Sequence, residues 1–236
     1  VSGGNMKEKL KTLVVVPAYN EALNIEKTVH DLQTNAPDVD YVIINDGSRD
    51  NTLEVLQKNN FNYVDGFLNQ GLFGAVQTGF KYALENGYDV AIQFDGDGQH
   101  SAAYIKDLVD EIENGSNIAI GSRFVTEKKP WTARMAGSRL IAGFIKMMTG
   151  AQIKDPTSGF RAYDKECIKD YALSANMPPE PDTLVYMLRK GKKIQEVQVE
   201  MSEREFGESY LNLPNTIKYM TRMLVSIVLI QPFRKV

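Results

Sequence analysis

The chain has 236 residues, is 43% hydrophobic and carries a formal net charge of −3. That is core enough for one globular domain, with or without a small appendage, and the near-balanced charge argues against a generally basic nucleic-acid binder. Its single cysteine, Cys167, rules out an internal disulfide framework and fits a reducing cytosol.

Val1 to Asn5 precede Met6 and read as a tag remnant; no secretory signal follows. The first half alternates short apolar runs with helical patterns. Leu13–Val16 predicts a strand, with a helix opening near Glu21. Tyr41–Ile44 predicts the next strand, then a helix from Arg49 to Lys58 and a short strand over Asn62–Val64. Gln70–Asn86 reads as a helix stopped by Gly87, Val90–Phe94 as a strand, Ala102–Glu113 as a helix and Ile118–Ile120 as a strand. The second half is less regular: helices over Ala133–Met148, Lys165–Leu173, Asp182–Lys190 and Pro214–Ile230, with strands near Phe160–Tyr163 and over Ile194–Val199. The longest apolar run, Met223–Ile230, is short of the roughly 20 residues that span a bilayer.

Apolar strands separated by helices predict an α/β fold with a mostly parallel sheet covered on both faces. Ligands of such sheets bind at the carboxyl ends of the strands. Four strands here end in polar segments: Pro17-Ala18-Tyr19-Asn20-Glu21, Asn45-Asp46-Gly47-Ser48, Asp95-Gly96-Asp97-Gly98-Gln99-His100 and Gly121-Ser122-Arg123. The third is the strongest signal. Two carboxylates one residue apart, in a glycine-loosened turn, can reach one hard cation, and Mg²⁺ or Mn²⁺ bridges readily to phosphate oxygens. Gln99 offers a further oxygen. Asp46 suits a hydrogen bond to a base or ribose, and equally an Asx turn; Ser48 suits a helix cap. Tyr19 suits base stacking or simple packing. Asn69 to Ala75 opens a helix with small residues, fit for an anion or for close packing. Neither a dinucleotide-binding glycine motif nor a phosphate loop with its lysine is present, which counts against a dehydrogenase or a P-loop enzyme.

Together with Asp155-Pro156-Thr157-Ser158-Gly159-Phe160-Arg161, these segments occur in an order that resembles the family 2 glycosyltransferases of GT-A fold, specifically the dolichyl- or polyprenyl-phosphate mannosyl- and glucosyltransferase branch. The likeness runs over nearly all of Leu13 to Leu211. It implies a nucleotide-sugar donor, a lipid-phosphate acceptor and inversion at the anomeric carbon. It implies that Asp95, Asp97 and Gln99 form the metal and diphosphate group, that Asp46 contacts the nucleotide, and that Pro17, Tyr19, Glu21, Gly71, Ser158 and Arg204 line the donor. Arg123 and Arg134 resemble arginines that meet phosphates, and Asp182 matches a helical carboxylate. Three departures stand out: Asn45 where two aspartates are common, Tyr210 where a basic residue usually follows Ser209, and no transmembrane helices.

The resulting expectation is a metal-dependent catalytic domain over 6–211 and a C-terminal amphipathic helix over 212–236, peripheral on the cytoplasmic face of the cell membrane. That helix suits the membrane interface, a small membrane partner protein or its own core. Arg123 to Lys146 is rich in Lys and Arg, which reads as a solvated basic face or as a patch for an anionic membrane. A phosphate acceptor is mostly dianionic at neutral pH and needs no base; a hydroxyl of a surface polysaccharide would need one, and Asp182 or Glu180 fits, although Asp182 also suits simple helix-end stabilisation. A non-catalytic nucleotide-sugar-binding protein is the remaining reading, and an oligomer is compatible with all of them.

Overall fold

The computed structural model describes residues 9–202 and 213–234, apart from the side chains at 133, 134, 213–217 and 232. Strands β1 (Thr12–Ala18), β2 (Asp40–Asn45), β3 (Tyr63–Asp65) and β4 (Val90–Gln93) alternate with helices α1 (Ile25–Asn35), α2 (Thr52–Lys58) and α3 (Gly71–Glu85). Helix α4 (Ile105–Glu113), strand β5 (Ile118–Ser122) and helix α5 (Ala133–Thr149) follow. Then come β6 (Arg161–Asp164), α6 (Lys165–Leu173), α7 (Pro181–Arg189), β7 (Ile194–Gln198) and α8 (Leu213–Val225). The chain after α8 continues in a π-helical turn, Ser226–Ile230, and a 3₁₀ turn, Gln231–Phe233.

The seven strands form one sheet in the order β3-β2-β1-β4-β6-β5-β7. All pairings are parallel except those of β6 with β4 and β5. This is the mixed, mostly parallel sheet that the alternating pattern predicts. Side chains alternate between its faces, as the two-residue period of a strand requires. Leu13 and Val15 point into a core shared with α3, α5, α6, α7 and Met223 of α8. Val14 and Val16 point into a second core with α1, α2 and α4. Helix α3 lies so close to β1 that a Cβ on Gly79 would sit 2.1 Å from Val15 Cγ1.

Some element ends move for physical reasons. The first strand runs on through Pro17, which pairs with β2 but lies beyond the last β4 partner, Val15; a residue without an N–H is tolerated there. Helix α2 starts at Thr52 because the Asp50 carboxylate takes the Thr52 N–H at 3.0 Å. The C-terminal segment lays its apolar side on the domain: Met223 and Ile227 are buried, while Leu229, Ile230 and Phe233 stay exposed. Among the described residues no helix is long and apolar enough to cross a membrane.

The chain order reverses between β1 and β4, so their carboxyl ends open a crevice of the kind that holds ligands in such sheets. Because β6 runs backwards, its first residue, Arg161, pairs with Gln93 at the end of β4 and Ile120 near the end of β5. The Asp155–Phe160 loop therefore arrives at the same edge as the four polar strand endings.

Candidate active site

The acidic turn begins where β4 ends, after the fully buried Phe94. The Asp95 N–H donates to His100 Nδ1 at 3.0 Å, closing the turn on itself. Gly98, at φ +75°, makes the reversal possible. A Cβ on Gly96 would lie 3.0 Å from the Pro17 carbonyl oxygen, so glycine lets the turn press against the end of β1. Thr28 of α1 donates to the Gly96 carbonyl at 3.2 Å. Asp97 Oδ1 accepts the Gln99 N–H at 3.1 Å, and the Gln99 carbonyl accepts the Ser202 N–H at 3.0 Å. Asp95 keeps about a third of its side chain exposed (31%). His100 is buried, stacked on Phe160 at 4.9 Å and edge-on to Phe94.

The donor-set chemistry fits a hard divalent cation: carboxylates at positions i and i+2, on a partly exposed turn at the ligand edge of the sheet. Among the described residues no group of three or more His, Cys, Asp or Glu gathers to hold a metal. Asp95 and Asp97, with Gln99 two residues on, are the residues of this turn that would hold such a cation.

Asp46 is buried, with both carboxylate oxygens engaged. Oδ1 accepts the Gln70 N–H and Oδ2 the Gly71 N–H, each at 2.8 Å. It thus anchors the positive end of α3. Gly47, at φ +64°, lets the strand ending fold onto Leu68 and Asn69. Gly71 lies at φ +76°. Tyr19 is exposed, beside Asn20, whose N–H donates to Ser48 Oγ. Pro17 is buried at the end of β1. Glu21 is buried too: its Oε2 accepts from Asn24 at 2.7 Å, and its backbone oxygen receives the first N–H groups of α1.

On the other flank, Arg123 is held in a bidentate pair by the fully buried Asp155, with Nε at 2.8 Å and Nη2 at 3.0 Å. Ser158 is buried, and its hydroxyl accepts the Phe160 N–H. Arg161, the last residue of the Asp155–Arg161 motif, has a structural role that the sequence does not reveal. It is 1% exposed and donates to the carbonyls of Pro156, Ser158 and Pro179, stapling the loop to the residues before α7. The Arg134 side chain and all of Arg204 lie outside the described residues.

Asp182 sits in the first turn of α7, 6% exposed. Its Oδ2 accepts from Ser226 Oγ at 2.6 Å and from Gln231 Nε2 at 3.1 Å, and its Oδ1 accepts the Thr183 N–H at 2.9 Å. Glu180 pairs with Arg222 of α8. Burial pushes the Glu180 carboxyl above its ordinary range, against the pull of Arg222. The two carboxylates near α7 therefore fasten the C-terminal segment to the domain.

The family described as Glycosyl transferase family 2 matches residues 13–172, which include every strand ending above and the β6 loop. The chain belongs to glycosyl transferase family 2. Among its relatives, the polyprenol monophosphomannose synthase of Mycolicibacterium smegmatis is 29% identical, over 90% of this chain and 85% of that protein. The undecaprenyl-phosphate mannosyltransferase of Micrococcus luteus is also 29% identical, over 86% of this chain and 88% of that protein. The dolichol-phosphate mannosyltransferase of Pyrococcus furiosus is 33% identical over 89% of this chain, which spans only 62% of that protein. Among solved structures, glucosyl-3-phosphoglycerate synthase from Mycobacterium tuberculosis superposes with a TM-score of 0.69 at 18% identity, over 93% of this chain and 79% of that one. The same enzyme in complex with Mn²⁺, uridine diphosphate and phosphoglyceric acid gives a TM-score of 0.66 at 17% identity. These matches show the GT-A fold of the family.

Proposed function

We propose that this glycosyltransferase moves a hexose from a UDP- or GDP-linked donor to a polyprenyl phosphate, at the cytoplasmic face of the membrane and with the help of Mg²⁺ or Mn²⁺. The observation that carries the reading is the Asp95–Asp97 turn at the ligand edge of a family 2 sheet. The acceptor class comes from the names of the three relatives, each of which joins mannose to a polyprenol or its phosphate.

A divalent cation at the turn would neutralise charge on the departing nucleoside diphosphate. Asp95 and Asp97 hold that position through the clasp of His100 on the turn. Asp46 accepts two N–H groups at the start of α3, which fixes the loop beside the nucleotide crevice and leaves each oxygen a second lone pair for the nucleotide. The acceptor phosphate oxygen attacks the anomeric carbon from the face opposite the diphosphate. The new C–O bond forms as the old one breaks, and its electron pair leaves with the diphosphate oxygen. A phosphate monoester is already mostly dianionic at pH 7, so no residue must take a proton. The state of Asp182 supports this acceptor over a sugar hydroxyl: a carboxylate already accepting from Ser226, Gln231 and Thr183 is poorly placed to serve as a base. Arg123, fixed by Asp155, would offer a positioned cation to a phosphate.

The test is lipid extraction after incubation with labelled GDP-mannose, UDP-glucose or UDP-N-acetylglucosamine and a polyprenyl phosphate in detergent. A labelled lipid that disappears with EDTA and returns with Mn²⁺ is expected. Label transferred only to a hydroxyl acceptor, or transfer indifferent to EDTA, would overturn the corresponding part of the proposal.

A further inference from the structure

We infer that Gln93 is a positioning residue that sets the Asp95 carboxylate for its cation, working opposite His100. The inference rests on the reading that Asp95 and Asp97 hold a cation. Gln93 is the last residue of β4, in the middle of the sheet, and is 1% exposed. A buried amide belongs in a core only when its hydrogen bonds are met. Here one half is not: Oε1 has no hydrogen-bond partner among the described residues. The other half, Nε2, donates to Asp95 Oδ1 at 3.4 Å. The reverse amide orientation would set oxygen against oxygen. A strand optimised for stability alone would carry an aliphatic residue here, as its neighbours Ala91 and Ile92 do. The unmet oxygen is the cost of keeping one N–H on Asp95.

His100 holds the other side. Its Nδ1 accepts the Asp95 N–H, so the proton of the neutral ring sits on Nε2, 3.8 Å from Asp95 Oδ2. Stacking on Phe160 and the edge contact with Phe94 keep the ring from turning. The Asp95 carboxylate thus meets one long N–H contact, from Gln93, while His100 fixes its backbone and leaves Nε2 beyond hydrogen-bond reach of Oδ2. Asp182 Oδ2, by contrast, receives Ser226 at 2.6 Å, and Asp46 receives two N–H groups at 2.8 Å. A long contact orients a carboxylate while leaving its lone pairs for a metal, the arrangement by which outer partners tune a ligand. Gly159 guards the space: a Cβ there would lie 3.1 Å from both Gln93 Nε2 and Asp95 Oδ2.

The experiment is titration of Mn²⁺ into the full chain with GDP or UDP present, read by electron paramagnetic resonance, beside thermal denaturation without metal. Gln93→Leu is expected to weaken Mn²⁺ binding about tenfold or more while leaving the melting temperature unchanged or raised, because it also removes an unmet buried oxygen. In turnover, half-saturating Mn²⁺ should rise by a similar factor while kcat at saturating metal stays near wild type. Gly159→Ala should weaken Mn²⁺ in the same direction, and it keeps the inference testable if Gln93→Leu fails to fold. Asp97→Asn tells the two claims apart. If Asp97→Asn abolishes Mn²⁺ binding while Gln93→Leu and Gly159→Ala bind as wild type, the positioning role falls and the cation reading stands. If Asp97→Asn binds Mn²⁺ as wild type, the cation reading falls and this inference with it.

Discussion

Asp95-Gly96-Asp97 and Glu180-Pro181-Asp182 are alike in outline: two carboxylates one residue apart, each at the boundary of a regular element. The fold treats them differently. The first pair follows a central strand into a glycine turn, keeps part of its surface exposed and meets one long contact on the Asp95 carboxylate. The second pair straddles the start of α7, where Pro181 opens the helix and the C-terminal segment closes over both acids. Equal spacing of two acids thus leads to different settings: an accessible turn at the ligand edge in one case, a closed helix start in the other.

The comparison breaks most visibly at Asp97. Asp97→Ala should lower transfer by roughly a thousandfold, about 4 kcal/mol of barrier, with little change in melting temperature; product release assays with matched thermal scans check both halves. If activity drops less than tenfold, the turn is not the catalytic pair. Asp182→Ala should do the reverse. It strips the acceptor from Ser226 and Gln231, both buried, and should cost about 3 kcal/mol, or on the order of 10 °C in a domain of this size. Activity measured well below the transition should stay within tenfold. Asp182→Asn that folds normally yet is dead would instead make Asp182 the base of a hydroxyl-directed enzyme.

Smaller effects sharpen the contrast. Because burial raises the Glu180 carboxyl, the folded protein keeps its proton to higher pH than the unfolded chain. The stability it contributes is therefore present below the ordinary glutamate range, near 4.3, and is lost as pH rises through the raised value. Glu180→Gln should flatten that part of the stability profile, seen in urea midpoints taken across the acidic range. An unaltered profile would show that Glu180 titrates as it does in the unfolded chain. Arg222→Ala should be the mildest change, under about 1 kcal/mol, because the arginine is 62% exposed; a larger loss would mean that the pair carries the docking of α8.

Much of the fold was readable because buried strands and amphipathic helices announce themselves by period: β1, β2, β4 and β5 fall where the apolar runs lie, and their polar endings share one edge. The acidic turn was readable because Asp, Gly and a strand end are all local signals. What the sequence hid were long-range partners. Nothing near Asp182 in the chain points to Ser226 or Gln231, 44 and 49 residues away. Asp46 looked like a nucleotide contact or a turn residue, and only the folded loop brings the start of α3 onto both its oxygens. In the sequence Gln93 is one more residue of a strand. Its single signal was polarity inside an otherwise apolar run, Val90-Ala91-Ile92-Gln93-Phe94. Arg161 gave a comparable hint, a charge at the head of a buried strand.

The reversed strand β6 has one more consequence. A strand running with its neighbours would present its end to the crevice and its beginning to the far side. This one presents its beginning, so the stretch upstream of it is chemically committed, whereas the junction at Asp164–Lys165 faces the opposite rim. Damage at that junction, where Asp164 caps α6 and binds Asn117, should tell on stability and spare the crevice, while the same surgery six residues earlier would cut through the crevice wall.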